Sequence, residues 1–166
     1  MTPYSVVEDL QKELPGVLFL SRKRILQELR IVKEDGELAL LAEAGQITCR
    51  AFVRLLPFIR VGMTERDIAG RLEALCVEEG AEGFAFPTIV ASGKNGAFPH
   101  AKCTDKKIRP GELVTIDFGV RYRGYVSDMT RTFAVGKVST RLCKMYEAVR
   151  KAQELGCEKA KAGVSG

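Results

Sequence analysis

The sequence has 166 residues (18.3 kDa), is 46% hydrophobic and 28% charged, and carries a formal net charge of +5. That suits one ordinary domain, or one domain plus a fragment of another, with a core that needs no disulfides; it excludes a disordered chain. No apolar run approaches the roughly 18 residues of a membrane span. The opening MTPYSVVEDLQKELPG has no basic or long apolar region of a secretion signal, so a cytoplasmic address is expected.

Residues 1–30 read as an incomplete beginning. Val6–Leu14 predicts a short helix ended by Pro15-Gly16, and Val17–Leu20 a buried strand. Ser21 is placed to cap a further helix through Arg22-Lys23-Arg24. Three such elements cannot bury one another's faces, so they need something else to pack on. Lys33–Leu56 predicts a long helix whose inner face includes Leu38, Ala44, Ile47, Cys49, Phe52 and Leu55. Pro57 ends it. Thr64-Glu65-Arg66-Asp67 resembles a capping box with Asp in place of Glu. The helix behind it carries Ile68, Leu72, Leu75 and Cys76, and stops at Gly80.

The texture then changes. Phe86–Ala91 predicts a strand, Ser92–Gly96 a loop, and Leu113–Val120 and Tyr125–Val135 a β-hairpin around Arg121–Gly124. Ser139-Thr140 opens a last helix with Leu142, Met145, Tyr146, Val149 and Ala152 on its inner face.

Five cysteines, an odd number with no C-x-x-C pair, point to reduced apolar thiols and not to a disulfide framework or zinc ribbon. His100 is the one histidine, so a site of several imidazoles within this chain is excluded.

The hairpin carries the acidic residues of interest. Asp117 lies inside the apolar run Leu113–Gly119, and Asp128 in Tyr125–Phe133. A bulge-free hairpin centred between Tyr122 and Arg123 would set Asp117 directly opposite Asp128, with Cβ atoms roughly 4.5–5.5 Å apart. Like charges so placed repel. A divalent cation between them would offset this, and two ions about 3.5–4 Å apart would make a two-metal hydrolytic site. Spacing alone leaves open a pair of exposed aspartates on a wet sheet face, or one neutralised by Arg131 or Arg121.

The motifs go further. Phe86-Pro87-Thr88-Ile89-Val90-Ala91-Ser92-Gly93, Pro99-His100, Val114-Thr115-Ile116-Asp117-Phe118-Gly119 and Ser127-Asp128-Met129-Thr130-Arg131-Thr132 together resemble the Xaa-Pro aminopeptidase and Xaa-Pro dipeptidase (prolidase) family. These are pita-bread metallopeptidases related to methionyl aminopeptidase. The resemblance implies an α+β fold, the first half of a pita-bread domain, with a curved antiparallel sheet and helices on its outer face. It implies residues 1–30 as a remnant of the N-terminal domain and linker helix, and 31–166 as the N-terminal half of the catalytic domain. Asp117 and Asp128 become metal ligands, Thr130 and Arg131 groups that orient them, and His100 the residue that touches substrate near the scissile amide. Two divalent ions are implied, manganese or cobalt first, with zinc or iron as rivals. In such enzymes they make a nucleophile from water and polarise the carbonyl of a short peptide with proline at its second position.

The chain departs from the family in one respect. The family uses five ligands, and the histidine and two glutamates that should follow Asp128 are absent. A truncated half with little or no activity alone is expected, with a complementing second half or a homodimer as partner; the alternative is a ligand-deficient pita-bread scaffold that binds without catalysis. Nucleic-acid binding through Arg22-Lys23-Arg24 and Lys106-Lys107 is disfavoured, because the basic residues are scattered and lack a stacking platform.

Overall fold

A computed structural model describes residues 3–20 and 24–165, the side chain of Ile25 excepted. The chain forms two compact units, Met1–Glu34 and Asp35–Gly166.

The first unit holds two helices, α1 (Tyr4–Glu13) and α2 (Ile25–Ile31). The strand expected at Val17–Leu20 is absent: that stretch has no strand pairing, and Val17, Leu18 and Leu20 are exposed. Four apolar residues without a pairing partner cannot satisfy their backbone groups as a ladder. Ser21 and the first two residues of the basic triplet lie outside the described residues.

The second unit is built from α3 (Asp35–Leu55), α4 (Glu65–Glu78), six short strands and α5 (Thr140–Lys159). In α3 the buried face is Ala44, Ile47, Thr48, Ala51 and Leu55. Cys49 and Leu38 point outward, so a polar threonine takes the core position expected of the cysteine. Pro57 stands in a single 3-10 turn, Leu56–Phe58, that ends the helix. At α4 the capping box forms in both directions: the Asp67 N–H donates to Thr64 Oγ1 at 3.0 Å, and the Thr64 N–H to Asp67 Oδ2 at 2.8 Å.

Two three-stranded antiparallel sheets follow. One is ordered β1 (Gly83–Phe84), β4 (Val120–Tyr122), β5 (Tyr125–Val126); the other β2 (Ile89–Ser92), β3 (Glu112–Phe118), β6 (Met129–Val135). β1 is an element the sequence pattern does not announce. Val114, Ile116 and Phe118 face the helices and are buried with Ile47, Leu55, Ile68, Leu72 and Leu75, and Phe118 stacks on Phe52 with ring centroids 6.4 Å apart. The alternate residues face away. There Thr115 and Thr132 share a hydroxyl hydrogen bond of 2.9 Å, one step from Asp117.

α5 has no buried residue. The inner face read from Met145, Tyr146 and Val149 exists as a periodic stripe, but all three are exposed. Among the described residues no element covers that stripe. Among them, too, no helix is long and apolar enough to cross a membrane.

Candidate metallopeptidase site

The hairpin turn lies one residue further along than expected. Tyr122 pairs with Tyr125 around Arg123-Gly124, both at positive φ (47° and 82°), as a type I′ turn requires. Arg123 is the residue that sequence reasoning misjudges, because a non-glycine residue seldom takes that conformation. The shift moves every pair by two. Asp117 therefore faces Thr130, not Asp128. Because sheet faces repeat every two residues, Asp128 remains on the face of Asp117 as its diagonal neighbour, at a typical spacing of roughly 7–8 Å.

Asp128 lies in a break between β5 and β6, and the break is tightly specified. A Cβ on Gly119 would stand 2.0 Å from the Ser127 carbonyl oxygen, so only glycine permits this approach of the two backbones. Ser127 is fixed from the other side. Thr48 Oγ1 donates to the Ala44 carbonyl at 2.8 Å, so in its contact with Ser127 Oγ it must accept. Ser127 Oγ in turn accepts the Val120 N–H at 3.0 Å. This relay of hydroxyls ties the residue before Asp128 to the core helix α3.

Asp117 and Asp128 line one cavity of about 560 Å³. His100 and Cys103 also line it, with Phe86 and Ile89 adding apolar surface. Thr130 donates its hydroxyl to Asp117 Oδ1 at 2.6 Å, which fixes that carboxylate's orientation. Arg131, one residue on, pairs across from Ile116, and its guanidinium donates to the Thr130 carbonyl at 2.8 Å. Arg121 is exposed beside Gly83. Cys103 bridges the cavity wall to β2: its Sγ donates to the Thr88 carbonyl and accepts the Val90 N–H, both at 3.2 Å. Burial pushes this thiol's pKa up, so it stays protonated and packs as an apolar group. Lys106, half of the basic pair considered for nucleic acid, is engaged internally with Glu112 at 2.7 Å.

As donors, two carboxylates on one wall suit a hard divalent cation. Among the described residues, however, no three or more His, Cys, Asp or Glu side chains form a group that could hold an ion.

The profile of metallopeptidase family M24 matches residues 39–166. The Xaa-Pro dipeptidase of Pyrococcus horikoshii is 37% identical over 163 residues, which cover 98% of this chain and 46% of that protein. The crystal structure of the prolidase from Pyrococcus horikoshii OT3 matches with a TM-score of 0.94 at 36% identity, over 99% of this chain and 47% of that one. The structure of the X-Pro aminopeptidase from Thermotoga maritima MSB8 matches with a TM-score of 0.89 at 38% identity, over 98% and 46%. The chain spans under half the length of these relatives. With its α+β architecture, its pita-bread structural neighbours and a profile match across most of its length, the chain belongs to metallopeptidase family M24.

Proposed function

We propose that this chain is the part of an Xaa-Pro peptidase that supplies two metal-ligating aspartates and one substrate-facing histidine. The observation that carries the reading is the convergence of Asp117, Asp128 and His100 on one cavity, with the Thr130 hydroxyl locking Asp117. Asp117 and Asp128 hold divalent ions, manganese or cobalt in preference, together with ligands from outside these 166 residues. When bound, the ions supply Lewis acidity and a lowered water pKa. Thr130 keeps one Asp117 oxygen occupied and so aims the other. His100 lines the same cavity, where it meets a peptide whose second residue is proline, and the apolar Phe86 and Ile89 suit the proline ring. Arg131 acts on Thr130 through the backbone carbonyl it holds. Residues 1–30 belong to a preceding domain, and the protein works in the cytoplasm.

The ligand deficit supports little or no turnover by this chain alone. It also keeps a second reading in play, a non-catalytic scaffold of the same fold, in which the two aspartates hold no ion. Manganese titration by calorimetry separates the two. Weak binding is expected, weakened further by about 10- to 100-fold in Thr130→Val and abolished in Asp117→Asn. Co-expression with the remaining half of a relative should restore cleavage of Ala-Pro. Heat of binding unchanged in Asp117→Asn would overturn the peptidase reading.

A further inference from the structure

One buried charge takes no part in the proposed chemistry. Glu65, the first residue of α4, is 0% exposed. Its Oε1 accepts the Ser92 N–H at 2.7 Å, the Ser92 hydroxyl at 2.8 Å and Asn95 Nδ2 at 3.0 Å. Its Oε2 accepts the Thr104 hydroxyl at 2.6 Å, the Thr104 N–H at 3.1 Å and Asn95 Nδ2 at 3.1 Å. Ser92 and Asn95 come before His100 in the chain and Thr104 comes after it. One carboxylate therefore receives both ends of the segment that forms the histidine side of the cleft.

We propose that Glu65 is a positioning residue that pins residues 92–104 at both ends and so sets where His100 stands at the cavity. The functional weight of this rests on the reading of His100 as a substrate contact. The segment has few restraints of its own. After the 3-10 turn Gly93–Ala97 it runs to Thr104 without strand or helix, held by turns from the Phe98 N–H to the Asn95 carbonyl and from the Ala101 N–H to the Phe98 carbonyl, by a long 3.4 Å contact from Asn95 Nδ2 to Thr104 Oγ1, and by Cys103. A buried carboxylate with all its partners in place is a strong anchor, because charge-assisted hydrogen bonds exceed neutral ones. The Ser92 hydroxyl that donates to Glu65 in turn accepts from Lys106 at 2.8 Å, and Lys106 pairs with Glu112. An amide at position 65 would present a donor to groups that are themselves donors.

The test is amide hydrogen exchange on the whole chain, wild type against Glu65→Gln and Thr104→Val, with the NMR signal of the sequence's one histidine as a second readout. In Glu65→Gln, amides of residues 93–104 should exchange about tenfold faster, with α3 and β3 at wild-type rates and the His100 signal displaced or broadened. Thr104→Val, at an exposed position, should do the same to a lesser degree, and it carries the test alone if Glu65→Gln does not fold. Unchanged exchange in 93–104 would overturn the proposal. So would acceleration spread evenly through α3 and β3, since Glu65 would then merely stabilise the fold. Adding Ala-Pro and manganese to the wild-type chain co-expressed with the remaining half of a relative separates the two readings: a His100 signal that ignores the peptide there, with the exchange result intact, removes the substrate role and leaves the clamp standing.

Discussion

At Gly119 the structure makes a demand that a single methyl group would break. A Cβ there would meet a backbone oxygen, which no rotamer change can move aside. Gly119→Ala should therefore cost at least about 2 kcal/mol in urea unfolding. Gly45→Ala is the matched control. Gly45 lies inside α3 with nothing within 4 Å of its would-be Cβ, so alanine should stabilise by about 0.5–1 kcal/mol. Equal effects at the two positions would refute the claim that the Ser127 carbonyl approach is specific. The glycine of Asp117-Phe118-Gly119 was legible as part of a motif. Its reason was not, because the oxygen it must avoid belongs to a residue eight positions away whose approach depends on the turn between them.

At the scale of elements, the helices were the most legible part. Apolar spacing and the Thr64–Asp67 box locate α3 and α4 to within a few residues, because both signals are local. The hairpin register was less legible, since it turns on which residue accepts a positive φ, and Arg123 does so in place of a more usual Asn or Gly. Glu65 was hidden for another reason. In sequence it is one acid in the first turn of a helix, and only the return of residues 92–104 gives it five donor atoms making six hydrogen bonds. That environment predicts a pH response. Burial alone would raise the Glu65 pKa, but the hydrogen bonds from Thr104, Ser92 and Asn95 outweigh it and hold the group below the usual carboxylate range. Its contribution is then complete above the unfolded value near about 4.3 and is lost as pH falls through the lower folded value. Lys106 and Glu112 are joined to it through the Ser92 hydroxyl. The urea midpoint should drop on acidification below about pH 4. Glu65→Gln should start lower at neutral pH and fall less steeply. Parallel curves would show that Glu65 does not drive the response.

Across the whole molecule, the uneven distribution of burial stands out. The core is drawn from α3, α4, the strands and two residues of the connections, Ala81 and Ile108, while α5 presents Met145 (54% exposed) and Val149 (70% exposed) to solvent. The amphipathic pattern of α5 was read correctly as a pattern and wrongly as burial, because periodicity reports which residues could be covered and not whether a cover is present. Met145→Lys with Val149→Lys should shift the unfolding free energy of this chain by under about 0.5 kcal/mol. A larger loss would mean that the stripe is buried in solution. The site was legible to a comparable extent. Asp117, Asp128, Thr130 and His100 were singled out from motifs and do share or adjoin one cavity, as do Phe86 and Ile89 of the first motif, whereas Cys103 carries no signal of its own.

The two-residue slip of the hairpin has an implication for how such a chain can vary in length. A β-ribbon distinguishes odd from even, so adding two residues to the Tyr122–Tyr125 connection would carry Asp128 along its strand yet return it to the cleft. Adding one would invert its parity and aim the carboxylate at the α3 side. Insertions here should therefore be tolerated in pairs and ruinous singly, a rule set by backbone geometry before any chemistry is considered.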